Sequence, residues 1–85
     1  MKKKGSAKSK VIENEEYLKL LGKRLKELRI KQGYTNYENF AFEHGIGRAQ
    51  YGKYETGGNI QFNTLVKILN ALEISVKDFF SEGFE

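Results

Sequence analysis

Cysteine, proline and tryptophan are absent from the 85 residues, and histidine and methionine occur once each. Without cysteine there is neither a disulfide nor a thiolate metal site to staple the fold. Chains of this size often need such staples, so the core must come from packing alone. Without proline nothing interrupts a helical pattern. No apolar run approaches the roughly 18–20 residues of a membrane-spanning helix. The opening MKKKGSAKSK has charge but no apolar stretch behind it, so it does not read as a secretory signal. The length allows one small domain and excludes a Rossmann sheet with its own substrate domain. A single His44 cannot build a metal site, so it reads as a core or surface residue, and no metal or cofactor is expected. No Gly-rich loop of P-loop spacing and no nucleophile–base pattern is present, and Glu13, Glu15 and Glu16 read as helix-start acids. The chain is therefore read as non-enzymatic.

The composition is that of a globular protein, with 39% apolar and 31% charged residues. Its net charge of +4 is unevenly placed: residues 1–10 carry five Lys and no acid, while residues 11–85 carry 10 basic and 11 acidic side chains. A second gradient follows. Lys19, Lys23, Arg24, Lys26, Arg29 and Lys31 face only Glu27 between residues 19 and 31, whereas the last nineteen residues set Lys67 and Lys77 against Glu73, Asp78, Glu82 and Glu85. One end of the molecule should attract polyanions and the other repel them.

Residues 1–12, rich in Lys, Ser and Gly, read as a disordered basic arm, and 13–85 as the folded domain. Asn14 ahead of Glu15 and Glu16 suits a helix start, with Asn as the cap. Leu18, Leu21, Leu25 and Leu28 then recur on one helical face until Gly33. Tyr34-Thr35-Asn36 is a short turn, and a second helix is expected over Tyr37 to His44 with Phe40 and Ala41 inward. Gly45-Ile46-Gly47 is a tight turn, and a third helix runs from Arg48 to Glu55, ended by Thr56-Gly57-Gly58-Asn59 with two glycines suited to left-handed backbone. A fourth carries Leu65, Ile68, Leu69 and Leu72. Ser75 and Asp78 open a short fifth with Val76, Phe79 and Phe80. No strand alternation of useful length appears, so the fold class is all-α with five short helices.

Within this pattern, Ala41 is small enough to let two helices cross, Gly45 can take the positive φ of a tight turn, and Ile46 and Tyr51 can pack behind the third helix. That is the mechanics of a helix-turn-helix over residues 36–55, with the recognition helix at 48–55. The third helix carries Arg48, Gln50 and Lys53 with no acid before Glu55, and its width fits a DNA major groove.

The chain resembles the lambda Cro and repressor type of helix-turn-helix domain, also called the XRE type. The matching pieces are Leu21-Gly22-Lys23-Arg24-Leu25-Lys26-Glu27-Leu28-Arg29, then Ala41, Gly45 and Tyr51, then Tyr54-Glu55-Thr56-Gly57. Thr64-Leu65-Val66-Lys67-Ile68 to Ala71-Leu72 and Ile74-Ser75-Val76 to Phe79-Phe80 complete them, so the likeness spans about residues 18–81. There are departures: the loop before the second helix is one residue longer than usual, Tyr37 replaces a common Gln, and Tyr51 a smaller aliphatic. His44 stands where Leu is common and Phe42 where a charge is common.

The resemblance implies a five-helix lambda-repressor-like fold and a sequence-specific double-stranded DNA-binding regulator, a repressor acting as a homodimer. It implies a cytoplasmic, nucleoid-associated setting of prokaryotic or phage type. It assigns Arg48, Ala49 and Lys53, with Gln50 beside them, to base edges. Arg and Lys suit guanine, and the Ala49 methyl suits a thymine methyl. Phosphate contacts are expected from Asn36 and Tyr37 at the start of the second helix, and from Thr56, Asn59 and Asn63 beyond the third. Arg29 and Glu55 resemble an ion pair joining the first helix to the end of the third, with a phosphate contact by Arg29 as the other possibility. Gly52 is either a neutral surface position or room for close DNA approach. The basic arm is either a solvated tail or a phosphate or minor-groove contact. Phe40, Phe62, Phe79 and Phe80 are expected in the core, with Phe42 and Phe84 at an interface. Phe79, Phe80 and Phe84 together are the expected dimer contact. The competing reading is an antitoxin-like or other protein-interaction module, with Tyr37, Phe42 and Phe84 as partner contacts and DNA binding secondary or lost.

Overall fold

The computed structural model describes residues 13–84. The expected basic arm, residues 1–12, lies outside them. Five helices follow in order: α1 (Asn14–Lys31), α2 (Tyr37–Glu43), α3 (Arg48–Glu55), α4 (Phe62–Ala71) and α5 (Val76–Phe79), with no strand among the described residues. No described helix is long and apolar enough to cross a membrane.

The core follows the apolar spacing. Leu21 and Leu25 from α1, Phe40 and Ala41 from α2, Tyr51 and Tyr54 from α3, Leu65, Ile68 and Leu69 from α4, and Phe79 from α5 are all buried, with Ile46 and Leu72 between helices. Each fully buried Leu, Ile or Phe contributes roughly 1.5–3 kcal/mol relative to exposure. α3 is the central element, packing on both α1 and α2.

One stop signal is used four times. At the ends of α1, α2, α3 and α4 the second residue past the cap donates its N–H five residues back: Tyr34 to Arg29, Ile46 to Ala41, Gly58 to Lys53, and Ile74 to Leu69, at 2.7–3.1 Å. This arrangement needs a left-handed residue just after the cap. Glycine fills that place after the first three helices, and Gly45 at φ 70° makes the turn between α2 and α3 as expected. After α4 the place is taken by Glu73, at φ 60°. Gly58 does not have positive φ; its lack of a side chain matters because a Cβ there would lie 2.9 Å from the Lys53 carbonyl oxygen.

Other expectations are corrected. Asn14 is the first helical residue and not the cap; Glu13 holds the cap position, without a side-chain capping bond. The Ser75 cap is present, its hydroxyl accepting from the Asp78 N–H at 3.0 Å. Phe62 is 63% exposed. It continues the Leu65–Leu69 stripe of α4 but is the first residue of that helix, ahead of the buried Leu65. Phe80 is 41% exposed, and the half-buried Phe84 turns back onto the molecule. Phe79, Phe80 and Phe84 form an aromatic cluster with centroids 4.9–5.8 Å apart. Phe79, fully buried, is thus removed from the expected dimer contact.

Arg24 holds this end of the chain to α1. Its Nε donates to the Phe79 carbonyl at 2.9 Å and its Nη2 to the Asp78 carbonyl at 3.1 Å. The guanidinium lies 5.7 Å from the Phe79 ring centroid. Gln32 similarly reaches from the end of α1 to the Leu72 carbonyl at 2.9 Å.

Candidate nucleic-acid interface

α3 is fixed from behind by its aromatic residues. Tyr51 and Tyr54 are buried, while Arg48, Ala49, Gln50 and Lys53 are all exposed. The four expected base-contacting residues therefore share one short helix and its outward side. Its one acidic side chain, Glu55, turns inward. Arg29 Nε bonds Glu55 Oε2 at 2.7 Å and Nη2 bonds Oε1 at 3.0 Å, a two-pronged pair with both side chains about 95% buried. The third Arg29 prong, Nη1, donates to the Tyr34 carbonyl at 2.6 Å. The Glu55 bond holds the Arg29 pKa above its usual value despite burial. All three guanidinium nitrogens are thus engaged inside the protein. The structural ion pair is present, and a phosphate contact by Arg29 would require breaking it.

The hydroxyl of Tyr51 lies beside this pair. It is buried without a hydrogen-bond partner. Burial, and then the nearby Glu55 carboxylate, push its pKa well above that of a free tyrosine.

α1 crosses α3 closely because residue 22 is glycine. A Cβ there would lie 2.5 Å from the Tyr54 carbonyl oxygen and 2.6 Å from that of Glu55. Gly22 lies within the stretch that resembles the family, and nothing local in the sequence marks this contact. The α2–α3 turn is held from α4 by Lys67, whose Nζ donates to the Gly45 carbonyl at 3.2 Å.

The expected phosphate-contacting residues divide. Asn36 caps α2, its side-chain oxygen accepting from the Glu38 N–H at 2.7 Å and the Asn39 N–H at 3.2 Å. Its amide NH2 remains for an outside acceptor. Tyr37 follows it at the first position of α2 and reaches α3. The Thr56 hydroxyl caps α3, with the Gly52 and Lys53 carbonyls 3.2 and 3.1 Å away. A phosphate would have to draw that donor away. Asn59 is exposed and lines a surface hollow with Asn14, Tyr17 and Leu18 of α1. Asn63 is exposed in the first turn of α4, whose start has no side-chain cap. The structure thus joins Tyr37 and Thr56 directly to α3, and sets Asn59 beside α1. His44 is the C-cap residue of α2 and packs on Phe40, centroids 4.7 Å apart, as a structural ring. No group of three or more His, Cys, Asp or Glu suited to a metal occurs among the described residues.

A tight glycine turn joining two short helices, with the second braced by buried rings and bare on its polar side, defines a helix-turn-helix protein. The helix-turn-helix family model matches residues 25–79, well over half the chain, and the protein belongs to that family, in its XRE, lambda Cro and repressor-like branch. Comparison with curated proteins gives no match. Double-stranded DNA binding in transcription regulation follows from the family.

Proposed function

We propose that the protein is a sequence-specific repressor that acts as a homodimer on a two-fold related DNA site. The observation that carries this reading is the division of α3. Its buried rings and the Glu55–Arg29 pair fix the helix, and its remaining polar side chains, Arg48, Gln50 and Lys53, are exposed and unopposed by any acid of their own helix. In this reading Arg48, Ala49, Gln50 and Lys53 meet base edges. Asn36 through its amide, Tyr37 through its hydroxyl, and Asn63 at the uncapped start of α4 meet phosphates, with Thr56 and Asn59 at the margin. One such helix reads only a few base pairs, so selectivity calls for two copies. The exposed Val76 and Phe80 of the α5 region then take the place of Phe79 in the pairing surface.

Selection from a random duplex library tests the whole reading, a palindromic motif being the expected result. Arg48→Ala should then lower affinity by about 1–3 kcal/mol per half-site and relax preference at one base pair. Uniform loss across all single-base variants would make Arg48 a phosphate contact instead. The protein-interaction reading is favoured by Phe42, 74% exposed on α2. It takes precedence if no duplex is selected and Arg48→Ala changes nothing while the fold persists.

A further inference from the structure

Gly52 stands inside an eight-residue helix, where glycine is the least favourable residue apart from proline. The structure supplies a reason for it. A Cβ on Gly52 would lie 2.8 Å from Cε1, 2.9 Å from Cζ and 3.0 Å from the hydroxyl oxygen of Tyr37. The hydroxyl-bearing edge of a ring from α2 therefore rests on the bare backbone of α3. That ring ends a chain of aromatic contacts leading out of the core. Tyr34 meets Phe40 and Phe40 meets Tyr51, each at 5.2 Å between centroids, and Tyr51 meets Tyr37 at 6.3 Å. Tyr37 is the exposed end of the series, 37% accessible, and its hydroxyl makes no hydrogen bond among the described residues.

The place where that hydroxyl rests matters. Residues four apart on a helix lie one above the other, so Arg48, Gly52 and Thr56 form one row. The Tyr37 hydroxyl occupies the middle of this row, one turn from Arg48. A glycine at 52 thus lets α2 supply a side chain that α3 lacks.

We propose that Gly52 is a positioning residue for DNA binding, its missing side chain seating the Tyr37 ring on α3 so that the phenolic hydroxyl donates to a DNA phosphate beside Arg48. The proposal rests on the DNA-reading role of α3. Steric logic makes it separable from folding: the atoms that a new Cβ meets are the far end of one flexible side chain, so Gly52→Ala turns Tyr37 away and leaves the helices where they are. A phenol carries no charge, so its loss removes affinity without altering counterion release.

The test uses the full chain, the selected duplex and its single-base variants, with titrations over a range of salt and thermal unfolding of each protein. Tyr37→Phe and Gly52→Ala are each expected to bind roughly 3–10-fold more weakly per half-site, the worth of one hydrogen bond. The loss should be equal on every duplex and the salt slope unchanged. Tyr37→Phe should unfold at the wild-type temperature. Tyr37→Ala/Gly52→Ala should bind no more weakly than Tyr37→Ala alone, and should melt about 4–8 °C higher, because Ala now improves the helix with nothing to displace. Full affinity of Tyr37→Phe would overturn the hydroxyl contact. An additional loss on adding Gly52→Ala to Tyr37→Ala would show that the Cβ obstructs DNA itself, and would overturn the positioning role. Failure of the wild type to bind any duplex would remove the DNA-reading role and the phosphate contact with it; the melting comparison would still show whether the ring and a side chain at 52 compete.

Discussion

Replacing Gly22 by alanine adds one methyl group where two helix backbones meet. The new carbon would sit 2.5, 2.6 and 2.7 Å from the Tyr54 oxygen, the Glu55 oxygen and the Glu55 carbonyl carbon. Real Cβ atoms stay beyond about 3.0 Å, so α1 and α3 must separate by about 0.5 Å or tilt. Neither neighbour is a side chain that could swing aside. Overpacking of this kind costs about 1–3 kcal/mol. With backbone on both sides and the Arg29–Glu55 pair bridging the same helices at 2.7 Å, the upper end applies. Alanine returns about 1 kcal/mol of helix propensity. The expected net loss is about 2 kcal/mol, which in a domain this size lowers the melting temperature by roughly 8–16 °C. Urea unfolding followed by circular dichroism should show a lower midpoint with an unchanged slope. Equal or greater stability of Gly22→Ala would mean that the crossing is loose and that the positioning of α3 by this contact is wrong.

Glu55→Gln leaves the Arg29 charge buried without its counter-charge and is expected to cost about 3–5 kcal/mol, while Arg29→Met/Glu55→Leu recovers most of it; urea midpoints of the three proteins check this. Tyr51→Phe removes a buried hydroxyl that has no partner, so at pH 7 it should be at least as stable as the wild type. The same change bears on alkaline stability. The folded state holds the Tyr51 proton above the ordinary tyrosine value of 10.0, so its contribution is complete below that pH and is lost as pH rises beyond it. Unfolding midpoints taken at pH 7 and at about pH 11 should therefore fall less in Tyr51→Phe than in the wild type. Glu73→Gly relieves a left-handed non-glycine residue at the end of α4 and should gain about 1 kcal/mol, seen as a melting point roughly 4–8 °C higher.

The helices were legible in the sequence because their signals are local. Leucines three and four residues apart, the Ser75 cap and the Gly45 turn each announce themselves within a few residues, and the structure agrees on all of them. What sequence could not supply depends on surfaces meeting at a distance. The stripe that buries Leu65 also includes Phe62, and periodicity alone does not reveal that the first residue of the stripe stays exposed. Glu73 has no feature that marks its backbone as left-handed; the Ile74–Leu69 hydrogen bond that ends α4 calls for it. The purposes of Gly22 and Gly52 are likewise invisible, since each is set by what would otherwise collide with a side chain. For the site, the membership of α3 and Asn36 as a cap former ahead of α2 were readable, whereas the engagement of the Thr56 hydroxyl by the Gly52 and Lys53 carbonyls required three-dimensional distances.

Between residues 19 and 31, α1 carries two arginines and four lysines of the same formal charge. The planar, forked guanidinium groups of Arg24 and Arg29 act as internal fasteners, hooked on the carbonyls of Phe79, Asp78 and Tyr34 and on the Glu55 carboxylate. Lys19, Lys23, Lys26 and Lys31 are exposed. The outward electric field of this helix is therefore an ammonium field: hydrated, swivelling on long stems, and indifferent to direction. Such a field draws in a polyanion without dictating how it docks, and it fades with salt. Exchange of Arg for Lys on this helix is consequently unequal in its two directions. Lysine in place of Arg29 loses a fork that joins two helices, whereas arginine in place of Lys23 changes only the shape of a charge already in water.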